Sequence, residues 1–151
     1  MANTQAMCTS FKGELLTATH NFGTAPVRAS STADTFKAAL YLTSATVDAS
    51  TTAYSSTGEV TGTNYSAGGV SVTNATAPTT SGTTAYWTPS ASIVYTNVTL
   101  STAFDAVLIY NSTQSNKSVS VHTFGSQTVT AGTFTLTMPT NDASNGLIRI
   151  A

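Results

Sequence analysis

The strongest constraint on the fold is a period-two alternation of apolar residues with threonine and serine. In the segment TFTLTMP, Phe134, Leu136 and Met138 alternate with threonines, and in SVSVHTF, Val119 and Val121 alternate with serines. Residues two apart lie on the same face of a β-strand, so the pattern places apolar side chains on one face and hydroxyls on the other. It predicts antiparallel strands that turn one face toward a core.

The same kind of pattern continues through most of the chain, in the segments TFKAALYL, GVSVTN and ASIVYTNVTL. The segment FDAVLIYN is a continuous apolar run, typical of a central strand buried on both faces, and GLIRIA is predicted as a final strand. Turns are predicted at Gly125-Ser126 and at Ala131-Gly132, which would separate three C-terminal strands. Residues 23–34 and 75–89, rich in Thr, Ser, Ala and Pro, are predicted as long loops.

One short helix is predicted near the N-terminus, in the segment SFKGELLTATHNF. Ser10 is the expected N-cap, Phe11, Leu15 and Thr19 share helical spacing, and Gly13 limits the helix to two or three turns. With the strand pattern, this predicts an all-β fold with one short N-terminal helix. Residues 1–151 are interpreted as a single domain, an antiparallel β-sandwich or jelly-roll-like barrel.

The surface of such a fold would be polar but almost uncharged. Charged residues make up 7% of the chain, whereas it contains 32 Thr and 19 Ser among 151 residues. Near-neutral surfaces favour association, so the composition favours a subunit of an assembly over an unusual but ordinary β-domain. A homo-oligomer, either a dimer or a trimer, is expected.

Several classes of partner and compartment are excluded by the same sequence. The scattered charges form no basic stripe for nucleic acid, and no apolar run is long enough for a membrane-spanning helix. The N-terminal residues show no secretory signal, so the chain is expected to fold in a cytoplasm. Cys8 is the single cysteine and excludes an internal disulfide.

The segment TGEVTGTNYSAGGV, residues 57–70, is rich in glycine but does not match a phosphate-binding loop. It contains neither GxGxxG nor GxxxxGK[ST], and a strand pattern follows it where a phosphate loop needs a helix. Tyr65 is interpreted as a packing residue at a corner of the sheet. Four glycines are interpreted as turn positions of positive φ: Gly58, Gly62, Gly68 and Gly69.

No combination of residues in the sequence predicts a catalytic or metal site. His20, His122 and Cys8 are far apart and lie outside any metal-binding or nucleophile motif. Glu59 and Asp105 are not brought together by any pattern, and each carboxylate is interpreted as a turn cap or a solvated side chain. The expectation is therefore a protein that is not an enzyme and needs no cofactor.

The aromatic residues Tyr86 and Trp87 allow two interpretations. They are interpreted mainly as an anchor for the core or for a subunit contact. The alternative is a carbohydrate-binding module in which Trp87, Tyr86 and Tyr65 stack on sugars.

Several segments in this order resemble a family of small bacteriophage structural proteins. They are FKGELL, DTFKAALYL, YSSTGEVTGTNYSAGGVSVTN, YWTPSASIVYTNVTL, AVLIYNST and HTFGSQTVTAGTFTLTMPTNDASNGLIRIA. Members of this family include proteins that resemble head decoration, or cement, proteins, and others labelled as tail or fibre components. The resemblance covers nearly the whole chain and brings no catalytic residues.

The resemblance implies a virion component that is assembled in the cytoplasm of a bacterial host. The expected role is capsid decoration by binding to the major capsid protein, or to other virion proteins. The alternative within the same family is a part of the tail, neck or fibre. The possible interface or packing residues remain Tyr65, Tyr86 and Trp87.

Overall fold

A computed structural model of the chain describes residues 3–16, 19–22, 33–73 and 77–151. These residues form two antiparallel sheets and one short helix, which confirms the predicted all-β fold with a helix near the N-terminus. The finer prediction of a single-domain sandwich or jelly-roll-like barrel stays a prediction. The elements are β1 (Ala6–Met7), α1 (Thr9–Leu16), β2 (Phe36–Leu42), β3 (Val70–Ser71), β4 (Thr79–Ser81), β5 (Thr84–Trp87), β6 (Ile93–Asn111), β7 (Lys117–Leu136) and β8 (Ile148–Ile150).

The large sheet has five strands in the order β1-β7-β6-β2-β3. Its centre is the antiparallel pair β6–β7, which runs from Asn111 opposite Lys117 to Ile93 opposite Leu136. β2 pairs with the C-terminal half of β6, between Phe104 and Asn111. Every residue of β6 from Ala106 to Asn111 is buried, so the prediction of a central strand covered on both faces is confirmed.

The predicted turns at Gly125-Ser126 and Ala131-Gly132 are wrong, because β7 continues through both. The β6–β7 register shifts near both positions. One shift lies between Phe104 and Ala106 of β6, opposite Thr123–Gln127 of β7. The other lies between Val98 and Leu100 of β6. These shifts are β-bulges, which absorb extra residues without ending a strand. β6 is nearly as long as β7, so the two strands stay paired across both positions, where the sequence alone suggested the end of a strand.

The small sheet has three strands in the order β4-β5-β8. Strand β8 confirms the predicted pairing of the C-terminal segment. The predicted long loop at 75–89 is wrong, because β4 and β5 form a hairpin within it. A two-residue turn at Gly82-Thr83 joins them, and Gly82 has a φ of 57°, as the first position of a tight hairpin turn often requires.

The sheets meet through aromatic side chains. The ring centroid of Trp87 on β5 lies 5.9 Å from that of Phe36 on β2, and 4.7 Å from that of Phe22. Phe22 also stacks on Phe36 at 4.5 Å. Such contacts bury large apolar areas, so the small sheet and the segment after α1 are attached to the large sheet by one aromatic cluster.

The helix α1 begins at Thr9, one residue before the expected N-cap Ser10, and spans two turns. Phe11 is buried in the core and Leu15 packs against it, as their spacing predicts. Of the predicted loop at 23–34, residues 23–32 lie outside the described residues. Asp34 lies inside and is buried.

The glycine-rich segment forms a sheet corner along the outer edge of β2. Gly58 C=O accepts a hydrogen bond from Leu42 N–H at 2.9 Å, and Val60 N–H donates to Leu40 C=O at 3.0 Å. Positive φ is confirmed for three of the four glycines, namely Gly58, Gly68 and Gly69.

The expectation of positive φ at Gly62 is wrong. That glycine is needed instead for a close approach between backbones, because a Cβ there would lie 2.0 Å from the carbonyl oxygen of Thr99.

Replacing Gly69 with alanine is expected to destabilise the fold by more than about 3 kcal/mol. Its φ is +68°, and a Cβ would lie 1.7 Å from the carbonyl oxygen of Ala38. Gly82→Ala is the matched control, because Gly82 also has positive φ but nothing lies within 4 Å of its Cβ position. The control should lose only about 1–2 kcal/mol from backbone strain. Urea denaturation measures both, and equal losses would contradict the role of the close approach.

Candidate functional site

The residue Glu59 lies at the centre of a buried polar cluster. Its side chain is 6% exposed, and its two carboxyl oxygens accept three hydrogen bonds. Oε1 accepts from Tyr65 O–H at 2.7 Å and from Gly68 N–H at 2.8 Å, and Oε2 accepts from Tyr54 O–H at 2.7 Å. The expectation that this carboxylate is solvated is therefore wrong, whereas the alternative that it caps a turn agrees with its hydrogen bond from Gly68 N–H, which lies in a turn. A buried carboxylate needs several donors, and the fold supplies them.

Further tyrosines enclose the cluster. Tyr65 stacks on Tyr95 with ring centroids 5.9 Å apart, and Tyr54 stacks on Tyr110 at 4.8 Å. Burial raises the pKa of Tyr110 to about 12, and the charge of Glu59 acts in the same direction. Burial likewise raises the pKa of Tyr65 and Tyr54 well above the usual phenol value, and their hydrogen bonds to Glu59 add to this effect. All three phenols therefore stay protonated and act as donors.

The Glu59 cluster joins three parts of the large sheet. Tyr65 O–H bridges Glu59 and the backbone, because its oxygen also accepts from Leu40 N–H of β2 at 3.0 Å. Tyr110 O–H of β6 donates to the carbonyl of Gly68 at 2.8 Å. Both oxygens of Glu59 are already engaged and the residue is buried, so the arrangement supports a structural role rather than proton transfer to a ligand. Tyr65 lies here, at the corner where the sequence places it.

A second polar cluster connects α1 to the β6–β7 hairpin. Glu14 accepts from Lys117 Nζ through Oε1 and contacts His20 Nε2 through Oε2, both at 2.6 Å. Asn111 Nδ2 lies 3.1 Å from His20 Nδ1 and also donates to Asp34 Oδ2 at 2.8 Å. Sequence spacing gives no hint of this cluster, because its members come from four separate segments.

The second cluster holds a neutral imidazole between two polar neighbours. Burial lowers the pKa of His20 despite the opposing effect of Glu14. Burial also opposes ionisation of Glu14, but hydrogen bonds from Lys117 and His20 outweigh it and hold the pKa of that carboxyl below its usual value. Nε2–H then donates to Glu14, and Nδ1 accepts from Asn111. Both ring nitrogens are occupied, and neither faces a hydroxyl or thiol nucleophile.

His122 and Cys8 lie elsewhere. His122 Nε2 lies 2.9 Å from Ser120 Oγ, and burial lowers the pKa of the imidazole to about 4. Ser120 is 3% exposed, so its hydroxyl is not accessible to a substrate. Cys8 is completely buried, and burial raises the pKa of its thiol to about 11, far from the pKa of a reactive thiolate.

Within residues 3–16, 19–22, 33–73 and 77–151, no three His, Cys, Asp or Glu side chains are grouped as metal ligands. No helix in those residues is long and apolar enough to cross a membrane.

The aromatic residues Tyr86 and Trp87 lie on β5, away from Tyr65. Trp87 is 2% exposed and packs in the aromatic cluster with Phe22 and Phe36. Tyr86 is half-buried and lines an apolar groove of about 120 Å³ with Trp87 at its base. A sugar-stacking platform needs exposed ring faces, but Trp87 is buried and one face of the Tyr65 ring is covered by Tyr95.

A further surface feature is the β6–β7 ribbon, which we define as residues 93–102 of β6 with 125–136 of β7. It projects beyond the part of β6 that β2 covers. No Asp, Glu, Lys or Arg occurs between Val60 and Phe104 or between Ser118 and Asn141. Its exposed hydroxyl residues are Thr96, Ser101, Thr102, Ser126, Thr128, Thr130, Thr133 and Thr135. The composition predicted such a surface, and the ribbon is one part of the molecule where exposed hydroxyl residues occur without any charged residue.

Comparison of the chain with protein-family models, with curated proteins and with solved structures gives no match. The resemblance to phage structural proteins therefore depends on the sequence segments alone.

Replacing Tyr65 with phenylalanine is expected to cost about 2–3 kcal/mol of unfolding free energy. The change leaves Leu40 N–H and one oxygen of Glu59 without the phenol that bridges them. Tyr110→Phe is the isosteric control, because that hydroxyl makes one hydrogen bond, to Gly68 C=O, and its loss should cost about 1 kcal/mol. Chemical denaturation measures both. If Tyr65→Phe is no more costly than Tyr110→Phe, the Glu59 cluster is not a main stabilising feature.

Stability is expected to fall as the pH drops from about 6.5 to about 4. The folded pKa of His122 is about 4, below the usual 6.5 of an unfolded histidine. The unfolded chain therefore binds more protons in this window, and folding loses about 3 kcal/mol there. The lowered pKa of His20 acts in the same direction. Denaturation midpoints measured at several pH values test this, with His122→Gln expected to flatten the slope. A wild-type midpoint that is constant from pH 7 to pH 4.5 would contradict it.

Proposed function

We propose that the chain is a structural component of a bacteriophage virion, and specifically a capsid decoration, or cement, protein. In this proposal it binds the shell of the major capsid protein and also associates with itself as a small homo-oligomer. It performs no catalysis and requires no cofactor. The particle is assembled in the cytoplasm of a bacterial host.

The observation that carries this proposal is the uncharged, hydroxyl-covered β6–β7 ribbon. Docking a charged surface against another protein requires ions to be removed from water, which is costly unless each one is paired. The exposed residues of the ribbon include eight threonines and serines and none that is charged. A large flat contact can therefore form on this ribbon without desolvating ions, which suits a protein that functions by covering area.

The two buried polar clusters support the same role. The carboxyl oxygens of Glu59 bind Tyr54, Tyr65 and Gly68 of the same chain. Glu14 likewise binds Lys117 and His20. The Glu59 carboxylate holds residues 54–68 together, Glu14 joins the helix to the distant Lys117, and both clusters stiffen the scaffold that presents the ribbon. A rigid subunit loses less conformational entropy when it binds, which favours a clamp between neighbouring capsomers.

The resemblance to phage structural proteins supplies the identity of the partner. It also leaves a tail, neck or fibre component as the second candidate within the virion. Copy number separates the two candidates. A decoration protein occupies a shell position that symmetry repeats on the order of hundreds of times, whereas a tail component is present in at most a few dozen copies.

The carbohydrate-binding module is the less favoured alternative. It needs stacking by Trp87, Tyr86 and Tyr65, but Trp87 is buried and one face of the Tyr65 ring packs on Tyr95. A glycan array with the purified protein tests it directly.

Deleting the gene from the phage that encodes the chain is expected to give particles that assemble normally but release their DNA at a lower temperature. The physical reason is the loss of clamps that resist the pressure of packaged DNA. DNA release during a thermal ramp measures the effect, and a gel of purified wild-type virions gives the copy number against the major capsid band.

Adding the purified protein back to the deletion particles is the matched control and should restore their thermal survival. Equal survival with and without the protein would overturn the cement function. A copy number of a few dozen would move the protein to the tail, and its absence from virions would refute the whole proposal.

A further inference from the structure

In the described part of the chain, the outer edge of β7 is open from His122 to Leu136. The edge is covered before this stretch, from Lys117 to Val121, by residues 52–53, Cys8 and β1, and no strand pairs with it from His122 onward. An edge strand presents backbone N–H and C=O groups that can pair with another strand, and folds usually protect such edges. This edge is therefore a surface on which a further strand can be added.

The bulges leave one regular stretch on this edge, Gly132–Leu136. On its inner side, Phe134, Thr135 and Leu136 pair in unbroken register with Tyr95, Val94 and Ile93 of β6. The shift between Tyr95 and Val98 places its extra residue on β6, so β7 itself stays regular from Gly132 onward. Five residues is an ordinary strand length, sufficient for a complete pairing with another strand.

The two faces of this stretch differ in chemistry. Thr133 and Thr135 are exposed on one face, whereas Phe134 and Leu136 are half-buried on the other and pack against the core. The apolar face is thus only partly covered at the open edge. A strand that pairs here covers it best if it carries the same alternation, with apolar residues on one face and small hydroxyl residues on the other.

Charge identifies the partner. Lysines are a common protection of edge strands, but Ser118–Asn141 contains no Asp, Glu, Lys or Arg. When a two-fold axis relates two copies, each residue meets a copy of its own surface, so charges on the edge would repel. An edge without charge, with alternating faces and a regular stretch, is complementary to itself.

We propose that Gly132–Leu136 pairs with the same stretch of a second copy, antiparallel and across a two-fold axis perpendicular to the sheet. The axis keeps both apolar faces on one side, so Phe134 and Leu136 of the two copies form one continuous surface. The large sheets of the two copies then become one sheet. This inference rests on the self-association in the proposed function, not on the location in a virion, and it selects a dimer over a trimer because a two-fold contact closes after two copies.

Analytical ultracentrifugation over a roughly hundredfold range of protein concentration tests the dimer. Thr133→Lys/Thr135→Lys places like charges on adjacent strands across the axis and is expected to weaken dimerisation at least about tenfold. Thr61→Lys is the control, because Thr61 is exposed in the glycine-rich segment, away from this edge. A double control with Thr57→Lys/Thr61→Lys matches the charge change and should dimerise like the wild type. A monomeric wild type, or a lysine edge variant with unchanged dimerisation, would overturn the proposal.

Hydrogen exchange locates the contact without any substitution. Backbone amides of residues 132–136 are expected to exchange more slowly when the wild-type protein is concentrated enough to dimerise. A dimer that leaves exchange of these amides unchanged would overturn the proposal even if the lysine variant did not fold. A monomer that still binds capsids would refute this inference alone, whereas an edge-paired dimer absent from virions would refute only the virion function.

Discussion

The long antiparallel pairing of β6 with β7 is the interaction on which the rest of the structure depends. β1 and β2 pair with its two sides, and Lys117 at the start of β7 belongs to the second polar cluster. The pairing also gives hydrogen-bond partners to the backbone N–H and C=O groups of the two strands. At the other end, β6 and β7 extend beyond the residues of β6 that pair with β2, and this end is the β6–β7 ribbon.

Buried polar groups hold the remaining segments to this pair. Within the glycine-rich segment, Glu59 accepts hydrogen bonds from Tyr65 and from the preceding Tyr54, and Tyr110 ties the same segment to β6. At the hairpin end, His20 connects Glu14 of the helix to Asn111 of β6. In a chain with so few charges, several of the acidic residues are used inside the fold rather than for solubility. The surface is consequently left to threonine and serine, and this is the physical basis of the proposed role as a subunit that covers area.

Much of the architecture could be predicted from the sequence. The alternation in TFTLTMP, the apolar run FDAVLIYN and the helical spacing of Phe11 and Leu15 correspond to β7, to the buried part of β6 and to α1. The predicted turns at Gly125-Ser126 and Ala131-Gly132 were wrong because a glycine bulge and a glycine turn look alike until the partner strand is known. The β4–β5 hairpin was missed because its exposed threonines carry little apolar pattern.

The sequence by itself determined the class of fold and the chemistry of the surface, because both follow from local alternation and composition. Only the tertiary structure decided which of the individual polar groups are buried and which are exposed. The sequence around Glu59 suggests a turn cap or a solvated side chain, but the folded chain buries it. Tyr54 and Tyr65 reach its carboxylate only after the chain has folded along β2. The open edge of β7 was likewise decided in three dimensions, because whether a strand has a second neighbour depends on the order of strands in the sheet and not on the strand's own residues.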